Sequence, residues 1–358
     1  MRQYIIKRLF LIFPTLLGIL LINFMIIQFA PGGPVERILS TLNNHNVFQS
    51  DMINQGSLIA HNNDNKYMGS EGLDKDILQD IKQQYGFDKP LHIRFLIMLK
   101  QFVTFDFGES FFKGKKVVDL ILERLPVSIS LGLWSSLIIY FISIPLGIRK
   151  AVKNGTKFDF YTSLIIFIGY AIPAFLFAIL LIVLFGYGGK FPLFPISALS
   201  SDNFHELSFF AKIKDYFMHL IMPITALIVG GFASLTMLTK NSFIEELNKE
   251  YVLTAKAKGA SEIRVLYGHV FRNAMILVVS QIPESIIKML FTGVLLIEII
   301  FSLDGLGLLG YEAAMNRDYP VIFATIYLYS LIALVFNLVG DILYAVIDPR
   351  IDFETNKK

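Results

Sequence analysis

Six long apolar runs constrain this chain more than any other feature of its sequence. A helix needs about 20 apolar residues to cross roughly 30 Å of hydrocarbon, and the first run, Leu9–Ala30, contains no charged residue. The other runs are Ser128–Ile148, Phe160–Phe185, Met218–Thr239, Ala274–Ser302 and Val321–Ile347. Only 17% of the residues are charged, whereas soluble domains average about 25%. We therefore predict an all-α polytopic membrane protein with six transmembrane helices.

The Lys and Arg residues of the loops predict the orientation of these spans. Segments 1–8, 149–159, 240–273 and 348–358 together hold 16 Lys and Arg residues against 8 acidic residues. The short loops 186–217 and 303–320 hold 4 against 6. This asymmetry places both termini in the cytoplasm.

The loops divide the chain into three regions. Residues 1–30 are the N-terminus and the first helix, and residues 31–127 form a small extracytoplasmic domain between helices 1 and 2. Residues 128–358 form a five-helix core with a cytoplasmic loop at 240–273. In that loop we predict a helix from Lys240 that stops at Gly259, and a second short helix that begins near Ser261.

Several chemistries are excluded by what the sequence lacks. The chain has no cysteine, and its six histidines show no metal-ligand spacing. The nearest approach to a phosphate-binding loop, Gly186–Lys190, has Leu184 and Phe191 where glycine and a hydroxyl residue are needed. Basic residues form no patch interleaved with aromatic residues. We expect no catalytic residue, no metal, no cofactor and no nucleic-acid partner for this chain.

Three glycines spell a dinucleotide-binding pattern in an unsuitable place. Gly305, Gly307 and Gly310 follow a predicted span on the outer side, and the residue 20 positions after Gly310 is Ser330 rather than an acid. We interpret them as a tightly packed turn at the outer mouth.

Four charged residues lie within the predicted spans, namely Glu284, Lys288, Glu298 and Asp341. Charges inside a bilayer are costly, so each is a candidate functional residue. Glu284 and Lys288 stand four residues apart, which suits a helical ion pair. One reading is paired or bundle-facing charges along a wet passage. The alternative is an ion-coupled secondary carrier that uses Glu284, Lys288 or Asp341, although no inverted repeat supports it.

The segment YVLTAKAKGASEIRVLYGHVFRNA, Tyr251–Ala274, resembles the cytoplasmic loop of ABC-importer permeases of the dipeptide and oligopeptide family. In that family the loop couples the permease to its ATPase. The resemblance assigns this role to Tyr251, Thr254, Ala255, Lys256, Ala257, Lys258, Gly259, His269, Arg272 and Asn273. The general Glu-Ala-Ala form of the loop is only partly kept, since Leu253 and Thr254 replace its first two residues.

Further segments are similar to the same family. These are YGFDKPLHIRF and FDFGES before the second span, IEIIFSLDGLGLLG after the fifth, and the terminal DPR. The segment FAPGGPV and the insertion before Tyr85 resemble permeases of importers for oligopeptides and microcin C-type antibiotics.

The resemblance implies one subunit of an ATP-driven importer of short peptides in the bacterial inner membrane. It implies a second homologous permease, cytoplasmic ATPase subunits and an extracytoplasmic peptide-binding protein as partners, with the lipid bilayer around the spans.

Overall fold

The computed structural model describes residues 2–29, 89–291 and 295–347. Within these ranges the chain is helical and contains no β-strand, which confirms the all-α class. The helices are α1 (Arg2–Phe29), α2 (Leu91–Val103), α3 (Val117–Val152), α4 (Lys157–Ala171), α5 (Ala174–Phe185), α6 (Phe209–Leu247), α7 (Glu250–Ala257), α8 (Glu262–Val265), α9 (Phe271–Ser280), α10 (Ile282–Phe291), α11 (Leu295–Ile300), α12 (Leu306–Asn316) and α13 (Tyr319–Ile347). A 3₁₀ turn at Phe204–Glu206 and a π-helical turn at Leu266–Val270 complete the set.

Five helical stretches of the described chain are long and apolar enough to cross a membrane, and a bent pair can make a sixth. The five are Ile6–Ile26, Val117–Val152, Phe209–Leu247, Glu262–Ser285 and Tyr319–Leu343. The predicted third span is the bent pair, because α4 and α5 meet at 92°. Pro173 begins α5, and Ile172 before it is extended. A proline has no N–H to donate and disfavours helical geometry in the preceding residue, so the helix breaks there.

The apolar helical stretch nearest the predicted fifth span, Ala274–Ser302, is Glu262–Ser285. It overlaps the predicted span from Ala274 onwards and also includes α8 and the π-helical turn. Val265 and Val270, in its first part, are buried. The segment up to Ile300 is divided between α10 and α11, with residues 292–294 outside the described ranges.

The described residues form two compact units. One comprises Met1–Phe13, Ile121–Tyr311 and Leu328–Lys358. Its main core joins α3, α5, α6 and α11 through Leu131, Ala178, Leu220, Ile297 and Phe301, all of them at most 1% exposed.

The second unit comprises Pro14–Leu120 and Glu312–Tyr327. Its described core is aromatic: the Phe102 ring lies 5.1 Å from Phe107 and 5.3 Å from Tyr327, centre to centre. Asp318 accepts hydrogen bonds from the Ser110 hydroxyl and from the Phe111 amide. These contacts explain the FDFGES segment, which packs against Asp318 and Tyr327 of the same unit. The predicted domain 31–127 reaches into α3, and residues 43–72 lie outside the described ranges.

Candidate functional site

Helix α7 ends just before Gly259, the residue at which the sequence predicts that the helix stops. The Gly259 amide donates to the carbonyl of Lys256 at 2.9 Å, and the Ala260 amide donates to Ala255 at 3.2 Å. This bonding pair is a Schellman cap, which needs a left-handed residue after the helix. Gly259 supplies it with a φ of +81°. Ser261 occupies the N-cap position of α8, but its side chain makes no capping hydrogen bond.

The predicted continuous helix from Lys240 to Lys258 is wrong in one respect, because the chain breaks between α6 and α7. Lys249 is extended, with a ψ of 150°. The Glu246 carboxylate, at the buried end of α6, is paired with Lys249 and accepts a hydrogen bond from the Tyr251 hydroxyl at 2.7 Å. The Asn273 amide reaches the same hydroxyl at 3.5 Å. Lys249 and Tyr251 thus bind the last turn of α6, and Asn273 holds the Tyr251 hydroxyl.

These contacts change the acidity of two side chains in the loop. Burial, reinforced by the hydrogen bond to Glu246, raises the pKa of Tyr251 to about 12. The hydrogen bond to Glu246 raises the pKa of Lys249 above its ordinary value. Both groups therefore keep their protons throughout the neutral range, and the network stays intact there.

A buried apolar cluster anchors the loop to two spanning helices. Val252 of α7 and Val265 of α8 are each 1% exposed and pack with Ile148 of α3 and Phe243 of α6. The Ser242 hydroxyl donates to the Ala274 carbonyl at 2.6 Å. Helices α7 and α8 are therefore packed directly against α3 and α6.

The loop has an outward face that the structure leaves open. Most of the residues predicted for coupling lie on it: Thr254, Lys256, Ala257, Lys258, Gly259, His269, Arg272 and Asn273 are exposed, whereas Tyr251 and Ala255 are half-buried. Sequence reasoning missed three exposed apolar side chains of this face, namely Leu253 (65% exposed), Ile263 (73%) and Tyr267 (59%). Their signal was their apolar character within an otherwise polar loop.

A buried charge cluster at one end of α3, α4 and α6 was also missed. Lys150 is fully buried, and its ammonium lies 3.0 Å from one Asp159 carboxylate oxygen. Lys240 lies 2.8 Å from the other oxygen. Lys150 also donates to the hydroxyls of Thr162 at 2.8 Å and Ser163 at 2.7 Å. Buried charges persist only when paired and hydrogen-bonded, and this cluster meets both conditions.

Two of the four charges predicted within spans line one cavity of about 460 Å³. Glu284 and Asp341 share it with Arg8, Ser280, Pro283, Asn337 and Gly340. The Arg8 guanidinium lies 3.2 Å from the Asp341 carboxylate. The Lys288 side chain lies outside the described residues, so its predicted pairing with Glu284 stays a prediction.

Glu298 explains the three-glycine pattern. Its carboxylate is fully buried and accepts a hydrogen bond at 2.6 Å from the Leu308 amide, at the start of α12. A Cβ on Gly305 would lie 2.0 Å from the Glu298 carboxylate, and one on Gly307 would lie 3.0 Å from it. A Cβ on Gly310 would meet nothing within 4 Å. The turn thus wraps a carboxylate at a helix N-terminus, where the helix dipole favours negative charge. This supports the packed-turn reading of the glycines.

The chain was compared with known proteins. Residues 143–353 match the family described as the inner membrane component of binding-protein-dependent transport systems. The chain is 53% identical to the inner membrane ABC transporter permease protein YejB of Escherichia coli, over 99% of this chain and 100% of that protein. It is also 53% identical to the peptidoglycan transport system permease protein YejB of Agrobacterium fabrum, over 99% of each.

More distant similarities agree. The oligopeptide transport system permease protein AppB of Bacillus subtilis is 34% identical over 99% of this chain and 100% of its own length. Among solved structures, a chain of the inward-facing MetNI methionine ABC transporter aligns with a TM-score of 0.50 at 15% identity, covering 64% of this chain and 97% of that one. At that identity the likeness shows the fold alone.

The family match and the relatives of high identity therefore show that this helical chain is a membrane permease subunit of an ABC transporter, a transport subunit and not an enzyme. The chain belongs to the family of inner-membrane components of binding-protein-dependent transport systems. Membership implies ATPase and binding-protein partners and a location in the inner membrane.

Proposed function

We propose that this permease forms, with a second homologous permease, the path by which short peptides or peptide-like compounds enter the cell. The substrate class is supported by the relatives, whose names specify peptidoglycan, oligopeptide and dipeptide transport. An extracytoplasmic peptide-binding protein delivers the substrate to the outer loops and to the domain at residues 31–127. Both termini lie in the cytoplasm, as the distribution of Lys and Arg favours.

The observation that carries the mechanism is the two-sided loop from Glu250 to Ala274. One side packs with the ends of α3 and α6 through Val252 and Val265. The other side exposes Leu253 and Ile263, which suit an apolar groove on an ATPase subunit. Closure of the ATPases on ATP would push this loop, and the buried cluster would move the two spanning helices with it. The path then opens to the other side of the membrane.

The intramembrane charges have a structural role in this proposal. Asp341 is paired with Arg8, and Glu298 is held by the α12 N-terminus. Such charges stabilise the bundle in the conformation described and need no coupling ion. Glu284 lies beside the Arg8–Asp341 pair in the same cavity.

The test is uptake of labelled tri-alanine into right-side-out vesicles that hold the assembled transporter, with ATP inside and binding protein outside. Wild type is compared with Gly259→Pro and Ala255→Glu. Proline cannot adopt the φ of +81° found at Gly259, and a glutamate at 255 puts a charge against the anchoring cluster. Asn154→Glu, on the exposed turn between α3 and α4, is the matched control for added charge.

We expect ATP-dependent uptake and peptide-stimulated ATP hydrolysis to collapse in both loop variants while the control keeps them. The amount of inserted permease should be unchanged in all three. Uptake that persists without ATP and follows a proton gradient would overturn the proposal and return attention to Glu284 and Asp341 as a carrier's ion site.

A further inference from the structure

A second cavity, of about 180 Å³, lies among α3, α6 and the α9–α10 junction. Each of these helices contributes hydrogen-bonding side chains to it. The polar lining residues are Ser136 and Tyr140 of α3, Ser234 of α6, Gln281 between α9 and α10, and Ser285 of α10. The Tyr140 and Ser285 hydroxyls lie 3.2 Å apart and form a hydrogen bond across the cavity. The lining carries no Asp, Glu, Lys, Arg or His.

The cavity combines these hydrogen-bonding groups with apolar surface from Ile139, Leu235 and Leu238. Hydrogen-bonding groups are costly in hydrocarbon unless they are satisfied by protein or line a wet cavity. The volume far exceeds the roughly 10–15 Å³ that one water molecule needs. Serine and glutamine side chains from three helices converge here, so the cavity can hold water or a polar ligand.

The same helix shows what a lipid-facing surface of this chain looks like. On α3 the residues next to the cavity positions are apolar and exposed: Leu133 (51%), Leu137 (50%) and Phe141 (82%). Ser136 and Tyr140 lie one residue before Leu137 and Phe141, which turns them to a different side of the helix. Helix α3 therefore has an apolar outer side and a mixed side towards α6 and α9, where Ser136 and Tyr140 stand beside the buried Ile139.

Close helix contact sets the shape of the cavity. A Cβ on Gly231 of α6 would lie 2.3 Å from the Cδ1 of Ile139 on α3. Ile139 and Leu235 are buried at this contact and line the cavity floor with apolar surface. Because α3 and α6 also hold the cytoplasmic loop through Ile148 and Phe243, movement of the loop changes the cavity directly.

The chemistry of the lining selects a class of ligand. Hydroxyl and amide groups donate and accept hydrogen bonds, as the N–H and C=O groups of a peptide backbone do, and they carry no charge that would select side chains. Each such hydrogen bond adds only about 0.5–1.5 kcal/mol net, so a peptide bound by a few of them is released readily.

We propose that this cavity is a segment of the translocation path, in which Ser136, Ser234, Gln281 and Ser285 contact the backbone of the passing peptide. The proposal rests on the proposed function and adds the residues and the neutral chemistry of the path. Such a lining would not select among peptides by the charge of their side chains.

The absence of cysteine from the chain makes the test direct. Ser136→Cys and Ser285→Cys replace a hydroxyl by a thiol of similar size, and Phe141→Cys places a thiol on the apolar outer side. Each variant is assembled with its partner subunits in membrane vesicles and exposed to a charged methanethiosulfonate. The permease is then purified, and its remaining thiol is counted by reaction with a polymer-linked maleimide. Because the thiolate is the reactive species and forms only where water reaches it, the labelling rate measures wetting.

We expect labelling at positions 136 and 285 to be about tenfold faster than at 141. We expect tri-alanine, supplied with binding protein, to slow labelling at the two cavity positions at least about twofold, because a bound peptide excludes the reagent. Equal slow labelling at all three positions, or fast labelling that tri-alanine leaves unchanged, would overturn the proposal.

Uptake of tri-alanine by the same vesicles separates this proposal from the function on which it rests. Vesicles that import tri-alanine with ATP while positions 136 and 285 stay unlabelled would leave the importer in place and exclude this cavity from its path. Vesicles that import nothing with ATP would contradict the proposed function itself.

Discussion

The three-glycine turn gives the sharpest test of the packing described here. Gly305→Ala would place a methyl group 2.0 Å from the Glu298 carboxylate, well inside contact distance. Glu298 is fully buried, so the carboxylate has little room to retreat. Displacing it breaks the 2.6 Å hydrogen bond from Leu308, which as a bond to a charged group is worth about 1.5–3 kcal/mol. Overpacking adds about 1–3 kcal/mol. We expect Gly305→Ala to lower the free energy of unfolding by about 3–5 kcal/mol.

The other two glycines of the pattern are internal controls. At Gly307 the methyl group would lie 3.0 Å from the same carboxylate, and the gain of about 1 kcal/mol from alanine within a helix offsets much of the strain. At Gly310 the space is open, so alanine should stabilise by up to about 1 kcal/mol. Thermal unfolding of the purified permease in detergent measures the order of stability of the three variants, and we expect Gly305→Ala to be the least stable.

The same substitution in a Glu298→Ala permease tests whether the Glu298 carboxylate causes the loss of stability. In Glu298→Ala the carboxylate is gone, so adding Gly305→Ala should cost less than about 1 kcal/mol, a strong departure from additivity. An unfolding midpoint for Gly305→Ala equal to that of Gly310→Ala would refute the reasoning. A penalty that persists in the Glu298→Ala background would refute it equally.

Three further predictions concern the cytoplasmic side. Lys150→Met should destabilise the permease by about 3 kcal/mol in thermal unfolding, because it removes one partner of a buried ion pair, with exposed Lys157→Met as the control. The folded pKa of Tyr251 is raised to about 12, so the phenol contributes stability below pH 10 that is lost as the pH rises towards 12. The difference in phenolate absorbance between wild type and Tyr251→Phe should therefore have its midpoint near pH 12. Ile263→Glu should abolish peptide-stimulated ATP hydrolysis and leave the unfolding free energy within about 0.5 kcal/mol, since this side chain is 73% exposed.

The local features of this fold are the ones that the sequence reveals. The number of spans follows from the length of apolar runs, and the end of α7 follows from Gly259, because a left-handed residue after a helix is a local requirement. Pro173 marks the break in the third span, but the 92° bend depends on what α4 and α5 pack against. The apolar stretch Glu262–Ser285 begins before the predicted fifth span, because its first turns carry both charged and apolar residues and only packing shows which side is buried.

Contacts between distant residues could not be predicted in the same way. Asp341 was recognised as a costly charge, but its partner Arg8 lies at the other end of the chain. Glu298 and the glycines after it were both noticed, yet nothing in their spacing indicates that one encloses the other. Lys150 was counted only as a charge that orients the membrane spans, since a buried lysine and an exposed one look alike in a sequence.

Lys150 links the folded permease to its insertion into the membrane. In the orientation that we propose, Lys150 and Lys240 are two of the basic residues that favour retention of their loops in the cytoplasm during insertion. In the finished bundle both are withdrawn into the pair of contacts with Asp159. In that orientation the two lysines act at two successive times. They add to the positive charge that favours this topology during insertion, and after assembly they join helices α3, α4 and α6 through Asp159.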